Sequence, residues 1–398
     1  MLTLSTKILA ISPSPTLTID ARAKELKGAG KDIIGFGAGE PDFDTPDHII
    51  EAAKKAMDEG FTRYTPASGM PELKKAVCDR FAQDWGLDYK PGQIVVSNGA
   101  KHSLDNVFAA IINPGDEVIL PAPYWVSYPE IIKINDGIPV ILETKPENSY
   151  KAQADEIKKA ITPRTKAFVL NSPSNPTGFI YNRKELEAIA ALALEHGFYI
   201  VSDEIYDKSI YEGNEHIPIA SLSKEVQDRT ILVNGVSKTY AMTGWRIGWT
   251  ASSLPLADAM ASLQSHTTSN PNSIAQKAAL AALTGPQDCV EEMRGIFQER
   301  RDYMVERVQN LPYISAQKPG GAFYLFINVS ETFTKKYKDK LIGNGDNLAK
   351  LLLEEYLLAM VPGDGFGASD YARFSYATSM ENISKGLDRL ESFLKELK

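Results

Sequence analysis

Val233-Asn234-Gly235-Val236-Ser237-Lys238-Thr239-Tyr240-Ala241-Met242-Thr243-Gly244-Trp245-Arg246-Ile247-Gly248 links two apolar runs, 230–233 and 247–251. Lys238 follows the first run in a loop of small residues, and Arg246 stands eight positions later between Trp245 and Ile247. A lone lysine on a loop is ordinarily a solvated surface charge. This one is hemmed by apolar and small residues, with no other charge between Asn234 and Thr243. Poor solvation disfavours the ammonium form, and a lysine with a depressed pKa is a usable nucleophile toward a carbonyl. Ser237 and Arg246 both donate hydrogen bonds of the kind a phosphate accepts.

Outward from this loop, further short apolar runs lie at 94–96, 117–120, 138–142, 166–170 and 199–202. Several are nearly continuous in Val, Ile, Leu or Phe, which suits strands buried on both faces of a parallel or mixed sheet. Helical patterns separate them, such as 183–196, closed by Gly197. Alternation of this kind predicts an α/β domain with crossover helices. The ends read differently. Residues 1–45 are loop-rich, with Pro13, Pro15 and Pro41. Beyond about 290, a charged helix (289–309), a strand at 322–329, a helix at 347–358, a strand at 372–376 and a last helix predict a small α+β domain. The expected division is a large α/β domain over 46–290 and a small domain from 1–45 together with 291–398.

Three more segments carry chemistry. Tyr199-Ile200-Val201-Ser202-Asp203-Glu204-Ile205-Tyr206 ends an apolar strand on an acid, at the sheet edge where α/β proteins bind ligands. Such an acid also serves as a helix cap; as a functional group it would keep a pyridine nitrogen protonated, making the ring an electron sink. Tyr206 is three residues on. Asn171-Ser172-Pro173-Ser174-Asn175-Pro176-Thr177-Gly178 has the composition of a turn, yet its place after the 166–170 run lets Asn175 meet a ligand. Ser97-Asn98-Gly99-Ala100-Lys101-His102 precedes the apolar helix 104–112, and small residues opening a helix leave N–H groups free for phosphate.

Taken together and in this order, Ser-x-Asn-Pro-Thr-Gly, Asp-Glu-x-Tyr and Ser-Lys-x-x-x-Met-x-Gly-Trp-Arg-x-Gly resemble the class I, fold-type I aminotransferases dependent on pyridoxal 5′-phosphate. The resemblance spans essentially the whole chain and is strongest to the bacterial aspartate aminotransferases of the thermophile and rhizobial type. It implies a central, mostly parallel seven-stranded sheet, transamination between aspartate and 2-oxoglutarate, and a homodimer with shared active sites. Residue by residue, it implies that Lys238 carries the cofactor covalently and moves the substrate proton. Asp203 would pair with the pyridine nitrogen, Tyr206 and Asn175 with the phenolic oxygen, and Trp125 would stack on the ring. Gly99, Ala100, Ser237 and Arg246 would hold the phosphate, with Tyr64 reaching it from the partner subunit. Gly39 and Arg373 would receive the substrate α-carboxylate, Arg373 as a bidentate fork. The 265–271 segment, where some relatives carry a second arginine from the partner, has none. A dicarboxylic substrate is then met by Lys101, with Ser14 and Thr16 from the N-terminal segment. Lys101 instead serving the phosphate is the competing assignment.

Alternatives within the fold are an aminotransferase for aromatic, prephenate or other keto-acid substrates; outside it, a non-catalytic sensor that binds the same cofactor. A dinucleotide fold fails because the glycines at 35, 37 and 39 lack the fingerprint spacing and Pro41 and Pro46 interrupt the helix that must follow. Ser221-Leu222-Ser223-Lys224 fits a hydrolase Ser-x-x-Lys without its companion motifs, and reads as surface loop. The net charge of −8 argues against a nucleic-acid partner. Cys78 and Cys289, the only cysteines, lack metal-ligand spacing, so no metal is expected. No apolar run is long enough to span a membrane, and a mixed N-terminus without a signal-like core predicts a cytoplasmic protein.

Overall fold

The computed structural model describes residues 3–12 and 15–398; of residues 15–18 and 20 it describes the backbone alone. Seven strands form the central sheet: Ile94–Ser97, Glu117–Ala122, Ile138–Glu143, Thr165–Asn171, Tyr199–Asp203, Thr230–Gly235 and Gly248–Ala251. Named by first residue, their spatial order is Ile94, Gly248, Thr230, Tyr199, Thr165, Glu117, Ile138. The Gly248 strand runs antiparallel to both neighbours, and the remaining ladders are parallel. The Ile94, Thr230 and Gly248 strands are buried along their whole length, as continuous apolar runs predict. Each Val, Ile or Leu enclosed in this way contributes roughly 1.5–3 kcal/mol. The Ile138 strand departs from that reading. It is an edge strand, and Ile138 and Ile141 are exposed.

The crossover helix Arg183–His196 shows how its ends are fixed. Asn182 accepts from the Glu185 N–H, the Glu185 carboxylate accepts from the Asn182 N–H, and Gly197 closes the helix in the left-handed region. A cap of this type stabilises by about 1 kcal/mol.

The remainder of the chain builds around a second, antiparallel sheet of Val361–Pro362, Tyr371–Ser375, Tyr324–Asn328 and Ser315–Ala316. Helices Asp288–Gln309, Gly345–Tyr356 and Met380–Lys395 cover it. The short strand Ile34–Gly35 joins this half through Leu358–Ala359. Its apolar core, with Phe323, Tyr324 and Phe374, runs on to Ile205 and Tyr206 of the first sheet's edge.

Several expectations need correction. Residues 1–45 are loop-rich only in part: Pro15–Gly28 is an α-helix and Thr6–Leu9 a single helical turn. The strand expected at 322–329 begins only at Tyr324, because Ala322 has φ +57°, which an extended strand excludes. The helix expected at 347–358 is Gly345–Tyr356, started by the Asn344 side chain and stopped by Leu357 in the left-handed region. The helix expected from 104 starts at Ala100. Ser223, read as loop, caps the helix Lys224–Arg229 by accepting from the Val226 N–H.

Candidate active site

Parallel strands bring their carboxyl ends to one edge of the sheet, and the loops leaving that edge make its ligand crevice. Ladder register sets Asn171 level with Asp203, and Asp203 level with Val233. The segments carrying Gly99, Trp125, Asn175, Tyr206 and Lys238 therefore all leave from one side. Two close approaches complete the edge. Gly248 lies so near the start of the Ala100–Ile111 helix that a Cβ would sit 2.3 Å from the Ala100 nitrogen. At Gly99, φ is +86° and a Cβ would lie 2.4 Å from Arg246 Nη2. Glycine at these positions lets the guanidinium pass over the opening turn of the helix.

The result is a cleft of about 490 Å³ that takes in Gly39, Ala100, Lys101, Trp125, Asn175, Asp203, Tyr206, Ser237, Lys238, Arg246 and Arg373. Sites separated by more than three hundred residues in sequence thus face one space.

Asp203 is buried at its floor. Tyr128 Oη donates to Oδ2 at 2.7 Å and the Ile205 N–H to Oδ1 at 3.2 Å. Burial pushes the Asp203 carboxyl up to about 6, against the pull of those two bonds. Asn171 Nδ2 donates to the Asp203 carbonyl at 3.0 Å, and Asn171 Oδ1 accepts from the Asn175 N–H at 2.8 Å, so one amide ties two loops together. Tyr206 and Tyr324 share a hydrogen bond of 2.9 Å between their hydroxyls.

Lys238 Nζ donates to the Gly39 carbonyl at 2.5 Å. Its side chain is half-buried in its loop and the amine faces the cleft. Burial lowers its pKa to about 8; Glu40 opposes that shift, while Arg373 and Arg246 add to it. Lys101 is lowered too, by burial and then by Arg246, and its Nζ stands 4.9 Å from the centre of the Trp125 ring. Arg246 donates to the carbonyls of Thr243 (2.9 Å) and Asn98 (3.3 Å).

Arg373 is buried between rings, its guanidinium 4.4 Å from Tyr324 and 5.1 Å from Phe366. It donates to Asn175 Oδ1 at 3.0 Å and to the Gly37 carbonyl at 2.8 Å, while Nε has no partner. A fixed guanidinium with donor capacity left over suits a carboxylate.

Tyr64 stands apart. It is 92% exposed and does not line this chain's cleft. Ser14 lies outside the described residues, and of Thr16 only the backbone is described, within the Pro15–Gly28 helix. Sequence reasoning missed Tyr128, Tyr324, Glu40 and Lys24. Tyr128 was accessible in principle, one helical turn beyond Trp125. Glu40, which accepts from Thr243 Oγ1 at 2.7 Å, adjoins Gly39. Tyr324 and Lys24, the latter on the cleft rim, have no local signal. Among the described residues, no cluster of metal-ligating side chains occurs and no helix is long and apolar enough to cross a membrane.

Comparisons with known proteins place the chain in a family. The family described as aminotransferase class I and II matches residues 31–390. An aspartate aminotransferase of Geobacillus stearothermophilus is 49% identical over 98% of this chain and 99% of its own length. An aspartate/prephenate aminotransferase of Nitrosomonas europaea is 44% identical over 98% and 99%. The crystal structure of the aspartate aminotransferase from Rhizobium meliloti superposes with a TM-score of 0.96 at 40% identity, covering the whole of both chains.

Proposed function

This chain belongs to the class I and II aminotransferase family, and from that premise we propose that it transfers the amino group of L-aspartate to 2-oxoglutarate with pyridoxal 5′-phosphate bound covalently to Lys238. The observation that carries the assignment is the convergence of Lys238, Asp203, Arg246 and Arg373 on one cleft.

The residues present fit the cofactor. A buried acid already hydrogen-bonded by Tyr128 suits a ring nitrogen, and the hydroxyl pair of Tyr206 and Tyr324 suits a phenolic oxygen together with Asn175. The start of the Ala100 helix, Ser237 and Arg246 suit a phosphate, with Gly99 leaving room for the Arg246 guanidinium. Trp125 supplies an aromatic face. When bound, pyridoxal phosphate supplies an electron sink that lets the substrate α-proton leave.

The chain's own groups do the rest. Lys238, with its pKa lowered to about 8, has a substantial free-amine fraction near neutral pH. With the cofactor bound, that amine would take the proton from the substrate α-carbon and deliver it to the cofactor's C4′, beyond the shared nitrogen. Asp203 holds the proton on the ring nitrogen by its negative charge. Arg373, with Gly39 nearby, fixes the α-carboxylate and thereby aims the α-hydrogen at Lys238. Lys101 meets the second carboxylate of aspartate or glutamate.

We divide the chain functionally into 46–290, which binds the cofactor, and 1–45 with 291–398, which brings Arg373. We also infer a cytoplasmic homodimer in which Tyr64, so exposed in one chain, reaches the phosphate of the other. Prephenate is the second reading, favoured by the N. europaea relative's name and by Lys101 being a mobile point charge, which accommodates bulkier side chains than a second arginine fork would.

The test uses one half-reaction. Loaded protein given L-aspartate and no acceptor should lose its aldehyde-form absorbance stoichiometrically and release oxaloacetate. Lys238→Ala should bind cofactor and lose this conversion by several orders of magnitude. Substantial conversion in that variant removes Lys238 from the role.

A further inference from the structure

Behind Asp203 lies a second buried ionisable pair that the reaction as described leaves unused. Glu204 and His216 are both almost wholly enclosed, and His216 Nε2 stands 2.9 Å from Glu204 Oε2. Ser202 Oγ donates to Glu204 Oε1 at 2.8 Å, so both carboxylate oxygens are engaged. His216 comes from the loop after Tyr211, twelve residues on, and reaches back to the residue that follows Asp203. Its Nδ1 is buried without a partner.

The surroundings are rich in charge. Asp207, also buried, accepts from Asn234 Nδ2 at 3.0 Å. Tyr89, in the segment between the helix Pro71–Trp85 and the Ile94 strand, feels the charge of Glu204, and its buried hydroxyl is unpartnered. Trp85 meets the His216 ring edge-on at 5.0 Å, and Lys208 lies 4.6 Å from the Trp85 ring while pairing with Asp84 at 2.8 Å. Three carboxylates, Asp203, Glu204 and Asp207, therefore share one buried turn, and His216 is the buried cationic-capable group among them. Burial is the main force raising the pKa of both Asp203 and Asp207, and the charge of Glu204 adds to it; Tyr128, the Ile205 N–H and Lys238 oppose the rise at Asp203, and Lys208, His216 and Asn234 oppose it at Asp207. A buried carboxylate without compensation would oppose ionisation of its neighbour.

We propose that His216 is a positioning residue for transamination: paired with Glu204, it shields Asp203 from the adjacent negative charge and so sets the pH range over which Asp203 can face a protonated ring nitrogen. This inference rests on the pyridoxal-phosphate reading of the cleft. It concerns a side chain that touches neither cofactor nor substrate, acting through Glu204.

The experiment follows cofactor binding to the apo-protein, not turnover. Pyridoxal phosphate is titrated by intrinsic fluorescence between about pH 5 and about pH 8.5, a range that brackets Asp203. Titration of the cofactor itself is common to every variant, so differences between variants report the protein. In the wild type, affinity should fall as pH drops through an inflection near 6, where Asp203 takes a proton. His216→Gln keeps an N–H toward Glu204 and removes the capacity for charge; its inflection should move up by about one pH unit. Glu204→Gln should move it down, and the double variant His216→Gln, Glu204→Gln should return close to the wild type. An unmoved inflection in His216→Gln, or a double variant that keeps the full shift, overturns the proposal. Should His216→Gln not fold, an unmoved inflection in Glu204→Gln has the same force. Failure of the wild type to bind pyridoxal phosphate at any pH would instead strike at the reading of the cleft itself.

Discussion

Asp203 sits in the fold at a cost to stability. Burial pushes its carboxyl up to about 6 in the folded chain, from the ordinary 3.8. Between those values the folded state holds more protons than the unfolded state, so stability falls as pH rises, and the deficit is complete above about pH 6. Asp203→Asn should therefore stabilise the cofactor-free protein by about 1–3 kcal/mol at neutral pH, with the gain gone below about pH 4. Thermal melts across pH read this directly; an equal or lower melting temperature at neutral pH contradicts it. Lys101 yields a prediction about choice of substrate. Loss of one charge-assisted contact costs roughly 1.5–3 kcal/mol. Lys101→Ser should lower kcat/KM for aspartate by about ten- to a hundredfold and leave an aromatic donor nearly unchanged. Equal losses for both donors would assign Lys101 to the phosphate. The cleft residues legible in sequence are those in short spaced motifs at strand ends, where one residue's neighbours announce its environment. Tyr324 and His216 were not legible, because their partners are fixed by register and loop return between distant segments.

At the scale of elements, the sheet was readable because parallel strands buried on both faces leave unbroken apolar runs. The Ile138 edge strand has the same apolar character without the same burial, so sequence pattern alone could not place it. The helix Pro15–Gly28 escaped detection for the opposite reason. Thr16, Thr18 and Gly28 are weak helix formers, and the helix is held by packing of Ile19, Ala23 and Leu26 against Leu353, Leu357 and Ala359. Tertiary contact outweighs propensity there. Paired glycine substitutions test how tightly the site's elements are docked. Gly248→Ala forces a Cβ against the Ala100 nitrogen and should cost at least about 2 kcal/mol in denaturant unfolding. Gly295→Ala, inside the helix Asp288–Gln309 with open space around it, should instead stabilise by about 0.5–1 kcal/mol. Comparable effects at both positions would mean that the Ala100 helix yields easily.

For the molecule as a whole, mixing experiments decide where Tyr64 acts. If it serves the partner's cleft, a hybrid of one Tyr64→Ala and one Lys238→Ala subunit contains one site with both lesions and one with neither. Random reassortment should then restore about a quarter of wild-type activity from two crippled parents; no recovery in proven hybrids would put Tyr64 in its own chain's site. Sequence order hid the larger arrangement. The resemblance names Arg373 for the substrate carboxylate, but nothing in its spacing from Asp203 says how it gets there; the assembled fold brings it, from a strand of the second sheet, to the cleft whose floor is Asp203. That convergence has a stereochemical consequence. On the proposed assignment, Arg373 pins one carboxylate from above, Lys238 addresses the α-carbon from the sheet edge, and Lys101 draws the side chain toward Trp125. Three unlike attachments around one tetrahedral carbon cannot all be met by both mirror images, so the handedness of the amino acid is read by the placement of two bodies of protein, before any bond is broken.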